Sequence, residues 1–404
     1  MSADVAYDPF SDAVMRDPWP YYEELRAKAP VFYLEKYDTW FLSRFEDIRE
    51  STTNDVFSAE RGVTPEMVIL KQPPPPDPVF SMLDMPRQRD YRRLFVPRYT
   101  KRAVTAMEDG IRARTRALLE PLLEQGHFDV YRDLANPLAT LTIGELIGLP
   151  EDEILGVRDQ VTTFFEREPG QVGTTEANDE ARLSLMTRVA DIVSERQQAG
   201  EAGCSGDDHI SVLLRAEIEG KKLEIGAIVA AIYTMLVTGA EVVPLSVANT
   251  VYYLSKHPDQ RAQLVADPSL VPHAFAESLR YDQPTNLLGR TVRDPVEIRD
   301  QKLEPGSGVM FLWASGNRDE EEFERADAFD ISRRPKRSLS FGHGAHKCVG
   351  EHLGNLEGRI LLEEILRAAP DYEVDEDGAE RLYSEFLHGH RRMPIAFDPA
   401  AAQD

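Results

Sequence analysis

Apolar residues recur at three- and four-residue intervals through most of positions 87–280 and again in LGNLEGRILLEEILRAA after Cys348, a spacing that predicts amphipathic helices. Breaks fall at Gly126, in LANPLA, in GLP (148–150), in EPGQVG (168–173) and in AGEAGCSGDD (199–208), where helix-breaking and turn-forming residues gather. The start of the chain differs. A helix is predicted over Tyr21 to Lys28, and then the aromatic runs VFYL (31–34) and TWFL (39–42), separated by polar EKYD, predict a small sheet. A second small sheet is expected between 291 and 313, where VEI and VMFLW flank the turn residues PGSG. The 16-residue run IGAIVAAIYTMLVTGA, bounded by Glu224 and Glu241, is apolar on nearly every face. It is shorter than the ~20 residues that span a bilayer, so it predicts a helix buried inside a large domain. The prolines of PPPPDP (73–78) exclude helix and central strand, and the run reads better as a surface loop than as an inter-domain linker.

Charge narrows the function. With 46 Lys+Arg against 70 Asp+Glu the formal charge is −24, which argues against nucleic acid as a partner, since phosphate binding relies on basic surface. Two cysteines, Cys204 and Cys348, make no disulfide framework, and MSADVAYDPF lacks a basic-then-apolar leader. A cytoplasmic protein without a membrane anchor is expected. No phosphate-cradling glycine signature is present: GHGAHK has Lys347 where a third glycine is needed, and GxxxxGK[ST] does not occur. A redox reaction here needs its electrons delivered from outside.

The stretch FGHGAHKCVGEHLG (341–354) carries the most chemistry. Gly342, Gly344 and Gly350 permit unusual backbone angles and close approach of something bulky, and Cys348 stands just before a predicted helix, whose positive end favours thiolate. Three readings follow from these residues. Cys348 is a buried structural thiol, or His343, His346, Cys348 and His352 hold zinc at an unusual spacing, or the thiolate is an axial ligand to haem iron.

The loop resembles the haem-binding signature of the cytochrome P450 superfamily, F-G-x-G-x-H-x-C-x-G, complete from Phe341 to Gly350. Glu277-Ser-Leu-Arg280 is similar to the family's E-x-x-R helix, and NRD (317–319) with FDISR (329–333) is similar to its meander. RDPWPYYEELRAKAP and DVYRDLANPLATLTIGELIGLP also resemble bacterial members, so the likeness covers nearly all of the chain. It implies a single domain over 1–404, mainly α with small β-sheets, enclosing haem b with Cys348 on the iron. It implies Gln88, Arg92, Arg290 and His346 at the propionates, with Phe341, Gly342 and Gly350 shaping the loop. Glu277, Arg280 and Arg333 are implied as a buried structural set, although the family's usual meander arginine aligns with Ala328. From the residues alone, Arg92 also reads as a solvated cation and Glu277/Arg280 as an exposed helical pair.

In the family the central helix carries [AG]-G-x-[DE]-T above the haem, the acid and threonine organising proton delivery. This chain reads Thr238-Gly239-Ala240-Glu241-Val242, so the threonine is replaced. Pro244 removes one helical amide and is expected to leave the Ala240 carbonyl unpaired or bound to water. Water at that break, Thr238 or a substrate hydroxyl is expected to stand in for the missing side chain. Locally, Glu241 also reads as a solvated acid before proline. By resemblance the substrate pocket draws on Val68, Ile69, Phe164, Phe165, Tyr233, Leu236, Val237, Asn286, Leu287, Leu288 and Phe386. The implied reaction is monooxygenation of a small hydrophobic substrate by O2, with electrons from NAD(P)H through a reductase and an acidic ferredoxin docking near Lys347. Val242 leaves a peroxide-driven or non-oxygenating reaction open, and a haem- or zinc-binding sensor or carrier is the reading from another class.

Overall fold

The computed structural model describes residues 5–77 and 79–399. Its axis is the helix Ile225–Lys256, 32 residues long, or roughly 48 Å at the α-helical rise. The helix continues through Pro244, which excludes the reading of Glu241 as an acid at a helix end. Proline removes only one donor, and the freed Ala240 carbonyl accepts from Asn136 Nδ2 at 3.3 Å, so it is not left unpaired. By length and composition this helix is able to cross a membrane, but 67% of its apolar window is buried inside the protein. Its apolarity on most faces reflects packing against Asn136–Ile147, Glu176–Gln198, Val271–Tyr281 and Glu351–Ala368.

The break expected in LANPLA is a change of helix type. Val130–Ala135 forms a π-helical turn that runs directly into Asn136–Ile147, because Pro137 lies in the first α-turn, where no amide donor is needed. The breaks at Gly126, 148–150, 168–173 and 199–208 do separate helices. In the PPPPDP run, residues 73–77 are irregular and Pro78 lies outside the described residues.

The two expected sheets are one. Five strands lie in the order Val31–Leu34, Thr39–Leu42, Gly308–Leu312, Leu287–Val292, Phe57–Ser58. Gly308–Leu312 runs parallel to Thr39–Leu42, with Val309 opposite Trp40, and antiparallel to Leu287–Val292. VEI instead pairs with Gln301–Leu303 in a separate hairpin. Alternation then sorts the side chains. Phe41, Met310 and Leu312 join Tyr22 and Phe32 on one face, while Leu42, Val309 and Phe311 join Phe45, Ile48 and Leu339 on the other. This second face carries the stem of the Cys348 loop.

Helix Glu351–Ala368 crosses Val271–Tyr281 closely enough that a Cβ on Gly358 would sit 2.2 Å from Cζ of Phe275. Gly358→Ala is expected to lower stability by about 1–3 kcal/mol through overpacking. Gly110→Ala, with nothing within 4 Å of the added carbon, is expected to raise it by up to about 1 kcal/mol. Denaturant melts of the two variants beside the parent chain measure both.

Candidate active site

The loop from Phe341 to Gly350 is held from beneath. The Leu339 amide donates to Asn317 Oδ1 at 2.9 Å, Asn317 Nδ2 donates to Gln283 Oε1 at 2.8 Å, and Gln283 Nε2 donates to the Ser340 carbonyl at 3.0 Å. Below them Arg280 donates both Nε and Nη2 to Glu277, each at 2.8 Å, with both side chains fully buried. Arg280 Nη1 also reaches the Asn317 and Ala326 carbonyls, and Arg333 Nε donates to Glu277 Oε1 at 3.2 Å. The structure thus brings Glu277, Arg280 and Arg333 together and excludes the exposed-pair reading. Removing one charge would leave another buried, at a cost of about 3–5 kcal/mol.

Within the loop Gly342 and Gly344 take φ of +69° and +71°, the left-handed region that favours glycine. A Cβ on Gly344 would also sit 2.7 Å from the Thr52 carbonyl oxygen. Gly350 departs from expectation: its φ is −85°, and its contribution is an amide that donates to the Cys348 sulfur. The Cys348 amide donates to the Phe341 carbonyl at 2.8 Å, closing the loop.

Cys348 has exposed surface yet lies deep in the protein, so that surface faces an internal hollow. Burial pushes its thiol up; the Gly350 amide and the Arg92 and Lys347 charges oppose this without reversing it. The amide and the two positive charges thus favour the thiolate against the cost of burial. On the central helix Thr238 is exposed within an otherwise buried stretch.

Around the same hollow stand positive and donor groups without acceptors. Arg290 is 6% exposed and makes no ion pair among the described residues; its one side-chain bond is to the Gly289 carbonyl, and desolvation pulls its guanidinium down to about 10. Arg92 is also lowered by desolvation. Burial brings the His346 imidazole down to about 4 and leaves its Nδ1 without a partner. Buried cations lacking a counter-charge are costly, so this set fits a dianion, and with a sulfur beside it the donor chemistry fits a haem and its propionates. Gln88 is fully buried but donates to the Ala345 carbonyl at 2.9 Å, bracing the loop. Among the described residues no three His, Cys, Asp or Glu side chains converge on a metal position, which leaves the zinc reading without its ligand set.

Glu241 is fully buried, not solvated, and was not expected to have the partners it has. Tyr131 Oη donates to its Oε1 at 2.5 Å, Asn136 Nδ2 reaches Tyr131 Oη at 3.4 Å, and Thr162 Oγ1 lies 3.4 Å from the same hydroxyl. Burial pushes the Glu241 carboxyl up to about 7, against the pull of the Tyr131 bond. Thr238 Oγ1 donates to the Thr234 carbonyl at 2.8 Å, so its hydrogen is committed within the helix. Val242 is partly exposed near it and offers no hydroxyl.

The expected pocket residues divide. Phe164, Tyr233, Leu288 and Phe386 keep exposed surface, and Phe164, Phe165, Tyr233 and Phe386 form a chain of ring contacts at 4.9–6.1 Å. Val68, Ile69 and Leu287 instead pack with Tyr22 and Phe41 on the sheet. Asn286 is engaged by Tyr22 Oη and the Glu385 carbonyl. Leu236 is fully buried and, two residues from Thr238, points to the opposite side of the helix. Val237 is likewise core. Leu287 fails because strand neighbours face opposite ways: Leu288 takes the other side, near Ala230.

Lys347 pairs with Glu351 at 2.6 Å, so its charge is neutralised locally. Uncompensated positive charge comes instead from Arg87, Arg89, Lys101 and Arg102, all exposed and without ion pairs among the described residues.

The sequence profile of the family described as Cytochrome P450 matches residues 179–378. Cytochrome P450 123 of Mycobacterium tuberculosis is 32% identical over 97% of this chain and 97% of its own. Pulcherriminic acid synthase of Bacillus subtilis is 27% identical over 98% of each chain. Among solved structures, CYP109E1 of Bacillus megaterium in complex with testosterone superposes with a TM-score of 0.85 at 26% identity, covering 96% of this chain and 99% of that one.

A carboxyl raised from 4.5 to about 7 in the folded protein binds its proton more tightly than in the unfolded chain. Its effect on stability is therefore nil below about pH 4.5 and grows more unfavourable as pH rises to about 7, reaching about 3 kcal/mol above that. Glu241→Gln, which keeps the Tyr131 bond and cannot ionise, is expected to match the parent chain at acid pH and to exceed its stability at pH 8. Melts across that range test the sign.

Proposed function

Because this chain belongs to the cytochrome P450 superfamily, whose members bind haem b and act as monooxygenases, we propose that Cys348 is the axial ligand and that Arg92, Arg290 and His346 receive the propionates. The observation that carries this reading is the convergence of an inward-facing sulfur with two desolvated arginines that make no ion pair among the described residues and an unpartnered His346 nitrogen, with the Asp84 charge acting on Arg290 only from a distance. Phe341 lies against the Glu351–Ala368 helix, its Cε1 3.7 Å from where a Cβ on Gly354 would be, and shields the sulfur from water.

Bound haem supplies the site at which dioxygen is held and reduced. Overall, a substrate C–H bond takes up one oxygen atom and the other leaves as water, with two electrons and two protons consumed. Phe164, Tyr233, Leu288 and Phe386 present a mainly apolar lining to the substrate. The apolar character of these side chains supports a hydrophobic molecule, and the testosterone held by the Bacillus megaterium relative is of that class. Electrons come from NAD(P)H through a reductase and an acidic ferredoxin, seated on Arg87, Arg89, Lys101 and Arg102 beside exposed Met85 and Val96. On a chain of net charge −24, such a patch orients an acidic partner. A cytoplasmic location fits soluble partners of this kind. Val242 favours a second reading, a peroxide-driven reaction, since no hydroxyl stands beside Glu241 on the helix.

Cys348→Ser is expected to abolish the red-shifted absorption of the reduced carbonyl adduct while leaving the fold intact by circular dichroism. An unchanged adduct spectrum would exclude sulfur ligation. Arg89→Glu with Arg102→Glu is expected to raise KM for an acidic ferredoxin about 10-fold or more at low salt, with little change at high salt. Steady-state assays at two ionic strengths measure this.

A further inference from the structure

On the far side of Glu241 from the core, a surface cleft of about 400 Å³ is walled by Tyr131, Arg158, Thr162, Glu166 and Arg391 among others. Tyr131 both lines this cleft and touches the buried acid: its ring is buried and its hydroxyl donates to Glu241 Oε1 at 2.5 Å. Thr162 Oγ1, also in the cleft wall, lies 3.4 Å from that hydroxyl. Glu241 Oε2 is buried and has no partner among the protein atoms. We propose that protons consumed in oxygen reduction enter through this cleft and pass by way of the Tyr131 hydroxyl to Glu241, making Tyr131 a positioning and proton-conducting residue. This deepens the monooxygenase reading and rests on it.

The transfer balances without charging the phenol. Tyr131 gives its hydroxyl hydrogen to a Glu241 carboxylate oxygen while taking one from Thr162 or from water in the cleft, so one proton moves inward and Tyr131 is unchanged. Ionising the phenol is excluded on its own: burial and the Glu241 charge hold it well above the usual tyrosine range. Rotation of the carboxyl presents the new proton for release and returns the other oxygen to Tyr131. Asn136 keeps the geometry, since its Nδ2 spans Tyr131 Oη and the Ala240 carbonyl freed by Pro244. The charged groups that face the pair are few. Glu166 raises both carboxyl and phenol but is paired with Arg391, and Arg132, Asp133, Arg158 and Asp159 also line the cleft, the last two paired with each other. A carboxyl near 7 changes protonation readily at neutral pH, as a relay requires.

The test compares two oxidants in the haem-loaded protein. With NAD(P)H, reductase and ferredoxin, two protons must be delivered per turnover; hydrogen peroxide brings its own. Tyr131→Phe is expected to lower product formed per NAD(P)H consumed by about 10-fold or more and to affect peroxide-driven product far less. Thr162→Leu, which fills the inner end of the cleft, is expected to show the same split. Infrared titration of the ferric protein supplies a readout that does not depend on turnover. The protonated-carboxyl band lost in Glu241→Gln is expected to persist to higher pH in Tyr131→Phe, where a bond that lowers the carboxyl is gone. Equal loss with both oxidants would make Tyr131 merely structural, and unchanged coupling in Thr162→Leu would place proton admission elsewhere; either result overturns the proposal. If the parent protein turned over with neither oxidant, the monooxygenase reading itself would fail, while the infrared band would still report the Tyr131–Glu241 contact, so the two failures are distinguishable.

Discussion

Positive charge buried without a counter-ion is the constraint on which this architecture turns. Arg290 and the half-buried Arg92 are desolvated, His346 has an orphaned nitrogen, and Cys348 turns a sulfur into the same hollow. Left as they stand these groups oppose folding. The dianionic, metal-bearing group proposed to lie among them would offset that cost and so couple its binding to the stability of the loop. The support beneath is built accordingly. Arg280 is satisfied by Glu277 and by backbone carbonyls, and Asn317 and Gln283 pin Leu339 and Ser340 before the loop begins. A loop that must present unsatisfied groups on one side is fully satisfied on the other.

The central helix solves a related problem on the opposite wall. Pro244 deprives the Ala240 carbonyl of its helical donor, and a carbonyl buried there must find another. Asn136 supplies it, and the same amide touches the Tyr131 hydroxyl that holds Glu241. The proline, the asparagine, the tyrosine and the acid therefore form one network, in which the interruption of the helix creates a fixed place for a carboxyl that burial keeps near neutrality. The absence of a threonine at 242 removes a hydroxyl on the inner side of this network. It does not touch the outer side, where Thr162 and the cleft connect to water.

Much of this was legible in the chain, and the failures share a physical cause. Helices with breaks at Gly126 or EPGQVG, the strands at 31–34 and 39–42, and the loop ending at Cys348 are local features, set by periodicity and turn residues within a few positions. What periodicity does not carry is pairing between distant segments. The parallel register of Val309 with Trp40 merges two expected sheets into one, and nothing near either strand announces it. The same limit explains the site. Cys348 and His346 are readable from a contiguous motif and Arg290 from the family likeness, whereas Tyr131, Asn136 and Thr162 gain their proposed roles only because they meet near residue 241 in space. Their signal was present in weak form: a tyrosine and an asparagine beside a proline, in a stretch that otherwise reads as a helix break. Pocket residues such as Ile69 and Leu287 went astray because an apolar side chain does not disclose which side of its element faces the hollow.

Three segments beside the ring cluster are also tied to one another through charge. Arg167, whose side chain is 1% exposed, donates to Glu385 at 3.1 Å and to Glu66 at 2.5 Å. These three residues stand next to or near Phe165, Phe386 and Val68, on segments far apart in sequence. One guanidinium therefore faces two carboxylates, and Glu385, fully buried, is pushed up by desolvation and by Glu66 despite the arginine. Separating these segments exposes the charges to water, which offsets part of the lost attraction, whereas replacing Arg167 alone strands two acids in the interior. The rings of Phe164, Phe165 and Phe386 sit on the same short segments as Arg167 and Glu385. The buried ion network therefore holds together, from distant parts of the chain, the segments that carry these rings.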